Sequence, residues 1–600
     1  MLLIQPMLLL EGATNTDHIT KQGPYVDTIR YEIIQDQADA ITALQNGEVE
    51  VIVDSIEPQH LEELEQSANI EVAKTNRNGY GFFLFNYERY PLNMTVLRRA
   101  AAFAFHKEKV ANETWSGYAE PLDSPVPPMN PLSAEEELDY HYYETEVDRA
   151  NSLLDAAGFE INETTGFREA PNGEPFDICI DASWNSQIQF SVAKVLEDAF
   201  ENLHVDASAA QVDPYDMKCR TERFDIRLLE NHFEDFNVDW LTSRLWVGGW
   251  DCLCPQYQPY QEILELRNAT FRDWKEQLLT ASSFEKIREA AVEIQKIIVY
   301  ESPMIVAYND KYLSAYRTDE FEEFVKGSHQ GVESWWMPYH ARLIETGGVH
   351  IGGTLEIAYP FRGIDSFNFM HAMFPVSDPI VQFFYDSLIR QKPDGDAINW
   401  FAKDYTIETH ADNTSVPENH TRITFIMIQN ATWTDGKPIT AEDAAFSLNY
   451  YRDAPGNPYS TDLTNLTAAY ANSPYTLEVE FNTESYWHLQ RVGYKPIIPR
   501  HIFTQIGTEG WNTWNPNPPE EEMVTSGPFN VSEYVASEYC ELSKNDNYPF
   551  RPEAVTSETT YTNDSTPTIN LVEVGIVFSI GLIAVVAVGV VGRKIMSKVE

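Results

Sequence analysis

Four tryptophans, Trp246, Trp250, Trp335 and Trp336, stand in polar, glycine-containing segments rather than on apolar helix faces. An indole so placed can stack on a sugar ring or a ligand side chain; the competing use is ordinary packing inside a core. The five cysteines, Cys179, Cys219, Cys252, Cys254 and Cys540, offer less chemistry. Cys252-Leu-Cys254 has no second Cys or His pair at zinc-site spacing, so it is expected to be structural, with at most one disulfide. No metal or cofactor is implied. HExxH, GxSxG and GxxxxGK(S/T) are all missing from the sequence. Close carboxylate pairs abound, but among 92 Asp and Glu they arise by chance and give a glycosidase no anchor. The expectation is a binding protein, not an enzyme.

Those 92 acids face 42 Lys and Arg over 600 residues, a formal charge of −50. This balance excludes a nucleic-acid partner held by phosphate neutralisation, which needs a basic face. With 43% hydrophobic and 12% aromatic residues the chain is not of the disordered class and has enough apolar material for large cores. Its length suits two to four domains at about 150 residues each. The acidity serves either a solvated exterior or an acidic mouth that attracts cations.

Ten Asn-x-Ser/Thr sequons occur, at Asn93, Asn112, Asn162, Asn268, Asn413, Asn419, Asn430, Asn465, Asn530 and Asn563, and suit a glycosylated, archaeal-type surface protein. Val574 to Gly592 is a 19-residue stretch without a charge, followed by Arg593, Lys594 and Lys598. It predicts a membrane-spanning helix with a cytoplasmic tail, leaving the bulk of the chain extracellular. The Ser/Thr-rich run from Ser557 to Thr568 reads as a stalk before it. The apolar start Met1 to Leu10 lacks a basic flank and a cleavage site, which makes it a poor signal peptide.

Between these ends, strand and helix patterns alternate. Strands are predicted over 25–34, 49–53, 70–73, 81–86 and 354–359. Helices are predicted over 38–46, 58–66, 95–110, 148–157 and 284–300. Thr95 is expected to cap its helix, with Leu97, Ala101, Ala104 and Phe105 inward, and Gly158 to close the 148–157 helix in a left-handed cap. Such alternation argues an α/β fold. A break falls at Gly347-Gly348 to Gly352-Gly353. Asp435-Gly436 reads as turn chemistry and is taken as structural.

Leu44-Gln-Asn-Gly-Glu-Val-Glu-Val51, Phe85-Asn-Tyr87 and Pro91-Leu-Asn-Met-Thr-Val-Leu-Arg-Arg-Ala-Ala-Ala-Phe-Ala-Phe-His106 resemble segments of family 5 extracellular solute-binding proteins, the peptide-binding partners of ABC importers. Gly117-Tyr-Ala-Glu-Pro121, Ser124-Pro-Val-Pro-Pro128 and Ala150-Asn-Ser-Leu-Leu-Asp-Ala-Ala-Gly158 continue the resemblance in order. So do Gly352-Gly-Thr-Leu355, the run from Trp433 to Leu448, Ile498-Pro-Arg-His-Ile502 and Ser526-Gly-Pro-Phe529. The likeness covers roughly residues 20 to 552, but segments resembling the family's leading lobe come last here. Either the chain is circularly permuted, or it is a truncated tandem.

The resemblance implies a two-lobed periplasmic-binding-protein fold of type II, in the family's extra-domain form, with one added C-terminal transmembrane helix. The parts would be 20–346 (middle and C-terminal portion), 350–555 (N-terminal lobe portion), 556–573 (stalk), 574–592 (membrane helix) and 593–600 (tail). It implies capture of a peptide or oligosaccharide ligand for ABC permease subunits; the alternative is a sensory or adhesion protein that reuses the fold. It also implies a carboxylate for the ligand's α-ammonium, following a strand that Phe224-Asp-Ile-Arg-Leu-Leu229 resembles. Glu234 and Asp235 stand nearest that acid and Asp239 nearest the next, although Glu230-Asn231 replaces the family's Gly-Trp.

Overall fold

Gln37–Asn46 forms a helix because Asp36 accepts the Ala38 and Asp39 amides at its start and Gly47 ends it at φ 76°. The same economy sets Val147–Ala156, which ends before Gly158 at φ 84°. The helix expected over 95–110 is shorter, Thr95–Ala104, because Phe105 turns extended. Its cap position is Met94, and the Thr95 hydroxyl is spent on Glu301. The strand expected over 70–73 runs on to Asn76, and its neighbour begins at Gly79. The structure, a computed structural model, describes residues 20–53, 56–87, 89–183, 186–212, 224–233, 236–242, 268–326, 331–332, 334–344, 350–361, 363–372 and 377–552.

A twelve-stranded sheet organises them. In pairing order it runs Phe529–Val535, Tyr539–Lys544, Thr28–Ile33, Thr354–Tyr359, Val51–Ile52, Met304–Arg317, Gly79–Phe85, Ile226–His232, Asp177–Ser183 and Asp206–Val212. Ile70–Asn76 and Ala119–Glu120 pair with Met304–Arg317 off this path. A separate four-stranded antiparallel sheet, Ala402–Thr409, Thr421–Met427, Thr476–Phe481 and Leu466–Ser473, packs on the helix Ala441–Asp453.

Two large cores lie on this frame. The first gathers Ile29, Tyr31, Leu355, Ile357, Trp335, Trp400 and Phe425. The second gathers Phe82, Phe83, Leu97, Phe103, Ile180, Leu196, Ile287 and Val306. A smaller cluster, with Ile41, Leu44, Leu64 and Leu313, sits beside the first. The first core therefore takes residues from both 20–346 and 350–555. Thr28–Ile33 is the clearest case, parallel to Thr354–Tyr359 on one side and antiparallel to Tyr539–Lys544 on the other. Gly23 N donates to Phe550 O at 3.0 Å, and Arg551 Nη1 reaches the carbonyls of Pro24 and Val26 at 3.1 and 2.9 Å.

The expected membrane-spanning helix is corrected. No helix among the described residues is long and apolar enough to cross a membrane. The 18-residue helix Phe284–Glu301 is amphipathic, with Glu285, Lys286, Arg288, Glu289, Glu293 and Lys296 along it. Val574–Gly592, the stalk and the tail lie outside the described residues. The fold class is mixed α/β and two-lobed, with no membrane-crossing helix among the described residues. The Cys179 thiol donates to Asp181 Oδ1 at 3.5 Å, and burial pushes the Cys540 thiol up to about 12.

Candidate functional site

Met304–Arg317 passes from the second core to the first. Met304 to Tyr308 pack in the second, Leu313 and Ala315 in the small cluster, and Tyr316 in the first. The chain 73–80 makes the same passage, with Ala73 in the first core and Tyr80 in the second. At the crossing, Arg77 Nη1 donates to both carboxylate oxygens of Asp310, each at 2.9 Å. Its Nη2 reaches Asn231 O at 3.3 Å and lies 3.5 Å from Glu230 Oε2. The Tyr308 hydroxyl donates to Glu230 Oε1 at 2.7 Å, and the Asn309 amide donates to the carbonyls of Arg77 and Gly79.

Backbones meet closely there. A Cβ on Gly79 would stand 2.3 Å from Asn231 O, and one on Gly81 2.1 Å from the Tyr308 ring. Burial pushes the Asp310 carboxyl up to about 6, while the Arg77 guanidinium pulls the other way. Glu230 thus supplies a second carboxylate to Arg77.

A second junction lies at Ser485–Arg491. Trp487 is 2% exposed, belongs to the second core, and donates Nε1–H to Leu278 O at 2.7 Å. The Ser485 hydroxyl donates to Leu279 O at 2.7 Å and Tyr486 N to Ala281 O at 2.9 Å. His488 stacks on Phe481 at 3.8 Å, and burial with the Arg491 charge pushes its imidazole down to about 4.

Of the expected site residues, Asp239 opens the 3₁₀ turn Asp239–Thr242 and accepts from Arg491 Nη2 at 2.9 Å, part of this second junction. Trp335 and Trp336 are buried in the first core. Trp335 stacks on Tyr339 at 4.4 Å beneath the Arg390 guanidinium, and Trp336 Nε1 donates to Gln391 O. Their surroundings are those of packed core rings. Glu234, Asp235, Trp246 and Trp250 lie outside the described residues, as do Cys219, Cys252 and Cys254. Glu234 and Asp235 directly follow the described stretch that carries Glu230 and Asn231.

Sequence reasoning missed Arg77, Glu230 and Asp310 as a group. The only signal was the gap between two expected strands at 74–80, which is the crossing itself. Asp123, Glu135 and His141 bring three potential metal ligands together. The Lys107 ammonium lies 2.5 Å from Asp123 Oδ1, and the amides of Asp123, Ser124 and Tyr142 fill the other carboxylate sites. Lysine thus already supplies the positive charge a cation would bring.

The sequence profile of the bacterial extracellular solute-binding proteins, family 5, matches residues 11–250 and 398–582. A probable peptide-binding protein, YejA, of Agrobacterium fabrum is 27% identical over 139 residues, 23% of this chain and 22% of that protein. The oligopeptide-binding protein OppA of Lactococcus lactis is 24% identical over 164 residues, 25% and 27% of the two chains. These stretches span about a quarter of the curated relatives' length. Among solved structures, the Bacillus subtilis oligopeptide-binding protein AppA with a nonapeptide has a TM-score of 0.44 and 14% identity, covering 52% of this chain and 60% of that one. A mannohexaose-bound periplasmic oligopeptide-binding protein of Thermotoga maritima has a TM-score of 0.43 and 16% identity, covering 52% and 61%. With its profile matched on both sides of the Gly-Gly break, this chain belongs to family 5 of the bacterial extracellular solute-binding proteins.

Proposed function

We propose that this chain is the solute-capturing component of an ABC importer, taking peptides or a similar oligomeric solute between its two cores and presenting them to permease subunits outside the cytoplasm. One observation supports this most: two separate cores are joined by strands that cross beside the segment leading to Glu234 and Asp235. Such crossings absorb the small backbone rotations of lobe closure. In this reading Glu234 or Asp235 takes the ligand's α-ammonium in a charge-assisted hydrogen bond. The parts 20–346 and 350–555 rebuild one two-lobed protein; the placing of Thr28–Ile33 between strands of the later part supports that. Exposed Asn112, Asn419 and Asn430 suit sequon use on an outer surface.

Calorimetry of the full chain with pooled tri- to hexapeptides tests this. Binding is expected, weakened at least about tenfold, or about 1.4 kcal/mol, by Asp235→Asn or Glu234→Gln. Unchanged affinity in both variants removes the amine clamp. Absence of heat with peptide and oligosaccharide pools alike removes the capture function itself.

A further inference from the structure

The two parts of the chain join in the large sheet where Val51–Ile52 runs parallel to Thr354–Tyr359, and a row of charges crosses that join. Register sets Glu541 beside Arg30 and Arg30 beside Glu356. The row continues to Glu50, whose N–H donates to Glu356 O at 2.8 Å, and to Arg317, whose N–H donates to Glu50 O at 2.8 Å. Alternation puts these side chains on the face away from the first core, because Ile29, Val51, Leu355, Ile357 and Leu542 belong to that core. Two glutamates therefore stand opposite each other in the middle of the row. Among the described residues neither forms an ion pair, because the nearest arginines are spent. Arg30 pairs with Glu32 and lies 3.8 Å from Glu541, while Arg317 pairs with Asp319 and donates to Leu44 O.

Glu50 is 6% exposed, and its Oε2 accepts the Glu356 N–H at 2.7 Å. Like charges on neighbouring strands repel, and burial removes the water that would screen them. Burial accordingly pushes the Glu50 carboxyl up to about 7, helped by the charges of Glu320 and Glu356 and opposed by the Glu356 N–H and Arg317. Burial also raises Glu356, with the charges of Glu32, Glu320 and Glu541 adding to it and Arg30 opposing.

We propose that Glu50 and Glu356 form a proton-operated clasp across the join: a proton on Glu50 holds residues 49–53 against Thr354–Tyr359, and its loss in alkaline medium loosens that pairing. The clasp does not depend on the solute-capture reading. Glu50 keeps its proton in the folded chain up to about pH 7, whereas the unfolded chain gives it up near 4.5. The stability this lends is complete below about pH 4.5 and is lost as pH rises through about 7.

Urea unfolding of the full chain at pH 5 and pH 8, set against Glu50→Gln, tests this. Glutamine keeps an acceptor for the Glu356 N–H but carries no charge, and the comparison cancels groups that titrate elsewhere, His488 and Asp310 among them. From pH 5 to pH 8 the unfolding constant of the native chain is expected to rise at least about tenfold more than that of the variant. Equal changes in the two chains overturn the proposal. Amide hydrogen exchange then reads the join itself. Corrected for the intrinsic rate at each pH, protection of the Glu50 and Val53 amides in the native chain should fall at least about tenfold over the same range. Unchanged protection overturns the clasp. If Glu50→Gln does not fold, Glu356→Gln removes the opposing charge instead and should flatten the same pH response; an undiminished response overturns the pairing. If neither variant folds, exchange in the native chain decides.

Discussion

The crossing at Arg77–Asp310 and the docking at Ser485–Arg491 both join the two cores, from opposite materials. The first is a charged network on continuous backbone, in which one guanidinium serves two carboxylates and a carbonyl. The second is an inserted indole with short hydrogen bonds around it, offered by a segment far away in sequence. Charged groups on a crossing strand can follow a rotation while keeping their partners. A buried indole cannot follow; it is either seated or withdrawn. In the solute-capture reading proposed above, the crossing is the part that would bend and the docked segment the part that would limit the bend.

The contrast breaks most visibly at Trp487. Trp487→Ala should cost about 4 kcal/mol in denaturant unfolding, through lost burial and the cavity left behind, with little dependence on pH. A loss below about 1 kcal/mol would mean the indole is not seated in the second core. Arg77→Met leaves Asp310 buried without its cation and should cost about 3 kcal/mol at pH 7. The cost should shrink at pH 5, where the carboxyl takes a proton, and Arg77→Met with Asp310→Leu should recover most of it. A pH-independent loss would count against the ion pair as what holds the crossing.

A smaller effect separates the junctions by pH alone. His488 titrates near 4 in the folded chain, below its ordinary 6.5, so the unfolded chain takes the proton first. Its contribution is fully present above about pH 6.5 and is lost as pH falls towards 4. Between pH 7 and 4.5 that amounts to about 2 kcal/mol. Measured as native chain minus His488→Gln, a flat difference over this range would refute the buried neutral imidazole.

Local elements were legible because their signals are local. Asp36 and Gly47 bracket one helix, and Gly158 stops another where its left-handed cap was expected. The strand start at Thr354 and the turn at Asp435-Gly436, with Gly436 at φ 83°, also stand where the sequence put them. The candidate site was less legible because its parts are joined by distance in space. Nothing near Arg77 announces Asp310, 233 residues on, and nothing near Asp239 announces Arg491. Trp335 and Trp336 stayed open between ligand stacking and core packing for a related reason. Their polar neighbours in sequence gave no hint of Tyr339, Arg390 and Trp400, which enclose them.

The interleaved strand Thr28–Ile33 has a consequence for how the chain is made. Its partner Tyr539–Lys544 and the Arg551 that holds Pro24, 527 residues away, leave the ribosome long after it. During synthesis both edges of the strand wait unpaired until Thr354–Tyr359 emerges, and one until Tyr539–Lys544 does, for at least tens of seconds at about 5–20 residues per second. Long-range pairing of this kind is slow and exposes hydrogen-bonding edges. The second core is built mostly from nearby sequence and can form during that wait. Refolding from denaturant should then proceed in two stages, with the first core completing late and aggregation concentrated in the interval before it does.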